Sequence, residues 1–257
     1  FKTQFGRLKT KIMEDVFITS LLLSDGQVAG AFGISLRDGR FIVFRSKVTI
    51  LATGGCSQIY RRTGASIDAT GDGIVLAYNA GADLMDMEFH QFFPTYCYTP
   101  PFEMNTQTGA FRYYLHAKFY NALGEEFMER YLPLTKDWGL RDPTSRAIYL
   151  ENKYGRGSPH GGAYIAVNHL PENIIDEWIK RHQIDLLPKL EKVGIDIRRH
   201  ALETGPGSHY TMGGVKVNEN CETALPRLYA AGEVASGMDG AERIDGGFQS
   251  LTKDVLI

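Results

Sequence analysis

The feature that most constrains this chain is a pair of short apolar runs that each lead directly into a glycine turn. Val48–Leu51 runs into the sequence ATGG at 52–55, and Arg227–Ala231 leads into Gly232 and Glu233. A short apolar run without alternation is typical of a strand buried on both faces of a parallel sheet. Glycine after such a strand lets the backbone pass close to a ligand, and the N–H groups of the turn can face an anion. The sequence therefore predicts an α/β fold whose strands end at a ligand site.

A third glycine turn, TGDG at 70–73, opens a predicted helix of small residues. The carboxylate of Asp72 could accept hydrogen bonds from a ribose or ribityl hydroxyl, although an acid at this position also serves as an ordinary helix N-cap. Glu233 has the position of the acid that binds ribose in dinucleotide folds, and the alternative is a plain surface glutamate. Each turn alone is weak evidence, but the three in this order indicate a nucleotide-binding domain.

The chain divides by composition into three predicted parts. Residues 1–96 and 206–257 have the glycine-rich character of a nucleotide-binding domain, and 97–205 are richer in aromatic, proline and charged residues. The middle part contains two helical stretches, at 143–154 and 171–193. We therefore predict a Rossmann-like domain that is interrupted by an inserted domain.

Local signals predict individual elements. The turn residues at 24–26 separate the β-rich runs Val16–Leu23 and Val28–Leu36, which predicts a hairpin. Asp142 and Pro143 have the pattern of an N-cap followed by proline in the first helical position. A helix is therefore expected to begin at Pro143.

Composition and charge argue against several classes of protein. The net charge is −2 without a basic run, which argues against a nucleic-acid partner. No apolar stretch approaches the roughly 20 residues that cross a bilayer. Cys56, Cys97 and Cys221 show no metal-ligand spacing, so we expect three reduced thiols and no metal site. The expected location is the cytoplasm, with membrane association only through another subunit.

Three cationic or titratable side chains are candidate ligands of a dicarboxylate. His209 lies just before two glycines, Arg141 lies at the start of a predicted helix, and Arg243 lies in a glycine-rich loop. Arginine binds a carboxylate with two parallel hydrogen bonds, and histidine adds a further donor. Taken singly, each arginine could be a surface residue and the histidine could be structural.

The motifs in this order resemble the flavoprotein subunit of succinate dehydrogenase and fumarate reductase, with L-aspartate oxidase as a relative. The similar stretches are VTILATGG (48–55), TGDGIVLAYNAGADLMDMEFHQF (70–92), NALGEEFMERY (121–131), LRDPTSRAI (140–148), HYTMGGVKVNENCET (209–223), LYAAGEVA (228–235) and GAERIDGGFQSL (240–251). The resemblance implies a Rossmann-like FAD-binding domain interrupted by an α+β capping domain, with FAD as the cofactor. It also implies an iron–sulfur electron-transfer subunit as a partner.

The resemblance also implies roles for individual residues. Arg141 would transfer the proton on the face of the substrate opposite the flavin, and His209 and Arg243 would hold the substrate carboxylates. The matching substrate positions are Phe93, Thr95 and Thr108. The predicted FAD contacts are Ala52, Thr53, Gly54, Gly55, Asp72, Glu233, Ser250 and Leu251.

The sequence departs from the family pattern at positions that bear on the substrate. Phe93 replaces the histidine of the family's QFHPT, and Gly109 replaces the acid of its proton relay. In the final loop, Glu242 stands where the family has asparagine, and Gln249 where it has the asparagine before Ser-Leu. These departures favour a substrate that is larger, less charged or differently shaped than succinate or fumarate.

Three hypotheses follow from these motifs and departures. The first is a piece of an FAD-dependent oxidoreductase that interconverts succinate and fumarate, or a related dicarboxylate, by hydride transfer at the flavin. The second is a related FAD enzyme such as adenylylsulfate reductase or L-aspartate oxidase, and the third is a scaffold that has kept the fold without the chemistry. Since no GxGxxG follows an N-terminal strand, we expect a truncated FAD-binding unit that binds FAD weakly and is itself inactive.

Overall fold

The computed structural model describes residues 10–99, 108–182 and 186–236. It begins with an antiparallel meander of three strands, β1 (Val16–Ser24), β2 (Gln27–Ser35) and β3 (Phe41–Arg45). Asp25 and Gly26 connect the first two strands with φ angles of 51° and 73°. Glycine adopts this left-handed region freely and aspartate tolerates it, which explains the tight turn. The predicted hairpin is confirmed.

The predicted parallel strands are also present, and they pair with each other. Strand β4 (Thr49–Leu51) pairs in parallel with β11 (Leu228–Ala230), so the two runs that precede the glycine turns lie side by side. The prediction that β4 is buried on both faces is wrong, since Leu51 is buried but Ile50 is 64% exposed. One face of β4 packs into a core with the helix that begins within TGDG, and the other face is exposed at Ile50.

The middle of the chain forms a second, entirely antiparallel sheet. Its strands are β6 (His90–Cys97), β7 (Lys118–Tyr120), β8 (Ala163–Ala166) and β9 (Leu202–Thr211), in the spatial order β6-β9-β8-β7.

The α-helices of the described residues are α1 (Asp72–Ala80), α2 (Gly109–Leu115), α3 (Met128–Tyr131), α4 (Arg141–Lys153), α5 (Glu172–His182) and α6 (Leu186–Lys192). A separate two-stranded sheet pairs β5 (Leu84–Met85) with β10 (Gly214–Val215). In the part of the chain that is described, no helix is both long and apolar enough to cross a membrane.

The predicted domain boundaries fall inside two strands that pair with each other. Residue 96 lies in β6 and residue 206 lies in β9, and these two strands run antiparallel at the edge of the second sheet. The chain therefore enters and leaves the middle part along adjacent strands. The division into parts at these residues stays a prediction.

The predicted helix bounds need two corrections. Helix α4 begins at Arg141, with Leu140 at the N-cap and no side-chain cap, so Asp142 lies within the first turn. The stretch predicted as one helix at 171–193 contains two helices, α5 and α6. The proline signal placed the start of α4 two residues late, because proline is accepted throughout the first turn, where N–H groups lack helical partners.

A buried carboxylate anchors helix α4. Glu151 is fully buried, and its oxygens accept hydrogen bonds from Arg130, Tyr131 and Arg156 at 3.1, 2.6 and 2.7 Å, with a further bond from Asn121 at 2.9 Å. Burial alone would raise the pKa of Glu151, but these donors outweigh it and lower the pKa to about 2. The carboxylate therefore stays ionised and ties one end of α4 to helix α3 and to the loops that contain Asn121 and Arg156.

Candidate active site

Two irregularities in the pairing of β6 and β9 shape the centre of the site. Gln91 faces Tyr210 and Phe92 faces Ser208, so His209 is an extra residue between them. Further along, Phe93 faces Gly207 and the next aligned pair on β6 is Tyr96. Such bulges bend a strand locally and re-aim side chains, and proline in a strand is compatible with them. The ring of His209 consequently lies 5.1 Å from the ring of Phe93.

His209 is held as a neutral imidazole. Its Nδ1 lies 3.0 Å from the hydroxyl of Tyr96. Burial, together with the nearby charge of Arg141, lowers the pKa of His209 to about 4. At neutral pH the ring can therefore give one hydrogen bond to a ligand but contributes no charge.

Arg141, the first residue of α4, extends its side chain towards the same Phe93 ring. Its Nη1 donates a hydrogen bond to Oε1 of Gln91 at 2.5 Å, and its guanidinium carbon lies 5.1 Å from the centre of the Phe93 ring. Gln91 is fully buried and donates from Nε2 to the hydroxyl of Tyr210 at 2.9 Å. A chain of hydrogen bonds thus runs from the helix to strand β9, and it brings together the predicted residues Arg141 and His209.

The predicted substrate residues are all buried. Phe93 is 4% exposed, and its ring lies 5.1 Å both from the guanidinium carbon of Arg141 and from the ring of His209. Thr95 and Thr108 are fully buried, and the Thr108 hydroxyl donates to the backbone oxygen of Thr95 at 3.1 Å. The hydroxyl of Thr95 is buried without a hydrogen-bond partner. Phe93 therefore packs with Arg141 and His209, and the substrate contacts of all three residues stay predictions.

The second predicted site lies where β4 and β11 end. Because the strands are parallel, their carboxyl ends meet at one edge, where α/β sheets bind ligands. Here Glu233 Oε1 accepts a hydrogen bond from the backbone N–H of Thr211 at 2.8 Å, and the N–H of Cys56 donates to the Thr211 hydroxyl at 2.8 Å. Burial raises the pKa of Glu233, and the hydrogen bonds from Thr211 partly oppose that effect.

Close backbone approach at this edge depends on two glycines. A side chain at Gly55 would collide with the carboxylate of Glu233, and one at Gly73 would collide with the hydroxyl of Thr53. Ala52, Thr53 and Asp72 are exposed beside these glycines. The hydroxyl of Thr70 donates to the Asp72 carboxylate, so Asp72 is oriented locally and does not act as a buried structural acid.

Three predicted site residues, Arg243, Ser250 and Leu251, lie outside the described residues. Their roles stay predictions that rest on the sequence alone. Within the described ranges, no group of three His, Cys, Asp or Glu side chains is arranged to hold a metal ion.

Comparisons with known proteins identify the family. The sequence matches the FAD binding domain family over residues 1–248. A protein of Methanothermobacter marburgensis named as one subunit of the CoM/CoB fumarate reductase is 40% identical over 245 residues, which cover 95% of this chain and 44% of that protein. The mitochondrial succinate dehydrogenase flavoprotein subunit of Oryza sativa is 32% identical over 91% of this chain and 38% of its own length.

A solved structure agrees with these relatives. Quinol fumarate reductase FrdA of E. coli has a TM-score of 0.83 and 28% identity, over 98% of this chain and 44% of that chain. The chain belongs to the succinate dehydrogenase and fumarate reductase family of FAD-binding flavoproteins. It spans less than half the length of each of these relatives.

FAD is the cofactor of this family, and the edge formed by β4 and β11 fits it. Gly55 and Gly73 carry no side chain at the two points where the turns pack closely. Asp72 and Glu233 place two carboxylates beside these glycines. Carboxylates can accept hydrogen bonds from the hydroxyls of a ribose or a ribityl chain. The residues present therefore suit a flavin dinucleotide.

Sequence reasoning missed several residues that complete the site. Gln91, Tyr96 and Tyr210 position Arg141 and His209, and Thr211 joins the flavin edge to strand β9. The available signal was the family-like stretches QFFPT, which contains Gln91 and ends just before Tyr96, and HYTMGG, which contains Tyr210 and Thr211. These stretches showed that the segments matter, but they did not show which strand residues face one another.

A cleft of about 630 Å³ in the described structure contacts none of the predicted site residues. It is lined by Phe92, Arg146 and Tyr149, among others. Successive side chains of a strand point to opposite faces, so Phe92 and Phe93 lie on different faces of β6. We assign the site to the face with Phe93, because Arg141 and His209 converge there.

Proposed function

We propose that the full-length protein interconverts fumarate and succinate, or a closely related dicarboxylate, with FAD as the redox cofactor. The observation that carries this proposal is the convergence of Arg141 and His209 on the Phe93 ring. A guanidinium and a neutral imidazole together offer a charge and a hydrogen bond to a carboxylate. Strand β9 then continues to Thr211, which contacts the flavin edge through Glu233.

In the proposed reaction, bound FAD and the described residues would have separate roles. Bound FAD supplies two-electron chemistry by giving or taking a hydride at its reactive nitrogen. Arg141 orients one substrate carboxylate and passes the proton to or from the neighbouring carbon. An arginine is normally protonated, so it acts as a proton carrier only when a neighbour returns the proton at once. Gln91, hydrogen-bonded to Arg141 and Tyr210, keeps the guanidinium in place for that step.

His209 polarises the substrate without adding charge. Because its pKa is about 4, the ring is neutral at pH 7. With the Tyr96 hydroxyl on Nδ1, the other ring nitrogen can carry the proton that is donated to a substrate oxygen. Phe93 and the rings beside it exclude water from this contact, which strengthens the electrostatic interaction.

We also propose that electrons reach the flavin through an iron–sulfur partner subunit. The proposal is supported by the family of the chain and by two relatives whose names describe them as subunits. The partner would be tested by co-purification of the full-length protein and analysis of its iron content.

The experiment that tests the function uses the full-length protein with its visible spectrum recorded. We expect a flavin spectrum and oxidation of reduced methyl viologen that depends on fumarate. Adenylylsulfate and L-aspartate serve as alternative substrates in the same assay. A flavin-loaded protein that acts on one of these and not on fumarate would refute the proposal, and a protein without flavin would favour a scaffold.

A further inference from the structure

The ring of Phe93 occupies the space that a side chain at position 109 would need. A Cβ built on Gly109 lies 2.7 Å from Phe93 Cζ, 3.2 Å from Phe93 Cε1 and 3.2 Å from Thr95 Oγ1. Carbon atoms in protein cores do not approach as closely as 2.7 Å, so any residue larger than glycine requires the ring to move.

Three side chains pack around the ring of Phe93. Tyr96 packs edge-on at 5.7 Å between ring centres, and the ring of His209 lies at 5.1 Å. The guanidinium of Arg141 lies 5.1 Å from the ring centre, within the range of a cation–π contact. Phe93 and Gly109 are therefore interlocked: the aromatic ring at one position requires the absence of a side chain at the other.

We propose that Phe93 and Gly109 act together as one specificity determinant, which lets the site accept a trans-2-enoate with one carboxylate and an apolar far end as well as fumarate. This inference rests on the function proposed above. A phenyl ring gives no hydrogen bond to a second carboxylate, whereas it offers an apolar surface to a hydrocarbon end. Arg141 and the neutral His209, which both lie 5.1 Å from that ring, serve the single carboxylate.

The reaction with such an enoate is the same reduction in electrons and atoms. The carbon–carbon π bond breaks, one carbon gains a hydride from the reduced flavin and its neighbour gains a proton delivered through Arg141. The product is the saturated monocarboxylate, and the flavin is left oxidised. A reduced viologen dye, the electron donor of the assay, returns it to the reduced form.

The test compares four forms of the full-length flavin-loaded protein: the natural chain, Phe93→His, Gly109→Glu and the double variant. For each form, kcat/KM is measured with crotonate and with fumarate, and Tm is measured by flavin fluorescence. We expect the double variant to shift the ratio of crotonate to fumarate kcat/KM at least tenfold towards fumarate. Phe41→His, at a residue that is 72% exposed, is the matched control and should leave the ratio unchanged.

The single variants test the interlock itself. Gly109→Glu alone should lower Tm and reduce both activities more than tenfold, and adding Phe93→His should restore most of the lost Tm. Additive changes in Tm would overturn the interlock. A natural chain that reduces fumarate but not crotonate, with no change of the ratio in the double variant, would overturn the substrate inference. If no form reduces either substrate, the proposed function fails, whereas the coupling in Tm still decides whether the two residues interlock.

Discussion

Replacing Gln91 by leucine removes both hydrogen bonds that connect Arg141 to strand β9. The bond to Arg141 at 2.5 Å has a charged donor, which is typically worth about 2 kcal/mol, and the bond to Tyr210 at 2.9 Å adds about 1 kcal/mol. Because Gln91 is fully buried, water cannot replace the lost amide. We therefore expect the free energy of unfolding to fall by about 3 kcal/mol in Gln91→Leu.

The same change should slow catalysis, because Arg141 loses the contact that orients its guanidinium. A misplacement of about 1 Å at a reacting group can cost roughly 100-fold in rate, so we expect kcat for fumarate to fall about 100-fold with an unchanged flavin spectrum. Gln91→Glu is the matched control, since its carboxylate still accepts the hydrogen bond from Arg141, and we expect it to retain kcat within about tenfold. The reasoning would be refuted if Gln91→Leu turned over at the natural rate, or if both variants lost activity equally.

Three other predictions address Arg141 in its proposed catalytic role, the anchor of its helix and the histidine His90. Arg141→Lys should reduce fumarate turnover about 1000-fold while the flavin content stays the same, because lysine lacks the planar fork; a substantial residual rate would contradict the role of Arg141. Glu151→Gln should lower the free energy of unfolding in urea by about 2 kcal/mol, since the buried side chain loses the charge that strengthens its hydrogen bonds from the partly exposed Arg130 and Arg156, and an unchanged midpoint would contradict it. The pKa of His90 is lowered by burial to about 4, so the stability that depends on its neutral form is complete above its ordinary pKa of 6.5 and is lost as the pH falls towards 4. Urea unfolding at pH 7 and pH 4.5 should show that His90→Gln loses roughly 2 kcal/mol less than the natural chain, and equal losses would count against this cause.

Local chemistry made part of the fold predictable. The hairpin of β1 and β2 depends on the turn at Asp25 and Gly26, whose preferred conformations do not need the rest of the molecule. That β4 and β11 are strands of a parallel sheet followed from two unbroken apolar runs before glycine turns, whereas their pairing with each other is known only from the structure. The burial of Ile50 was predicted wrongly. Burial depends on which element packs on each face of the strand, and an apolar run in the sequence does not identify that element.

The candidate site was only partly predictable for a similar reason. Arg141 and His209 could be selected by residue type and motif, and the structure brings them to the same ring. Gln91 could not be selected, because its role follows from facing Tyr210 across a bulge between strands that are far apart in the sequence. A shift of one residue in this register would place Gln91 on the opposite face, so the pattern of residue types alone does not contain the hydrogen-bond chain.

Strand β9 contributes residues to both parts of the candidate site. His209 lies in its bulge beside Phe93, and Thr211 at its end binds the Glu233 carboxylate through the backbone and receives the N–H of Cys56 through its hydroxyl. Only Tyr210 separates His209, the proposed substrate ligand, from Thr211, which contacts Glu233 at the proposed flavin edge. The strand segment that positions His209 is therefore also the segment that holds the Glu233 carboxylate, so the two parts of the proposed site share one backbone support.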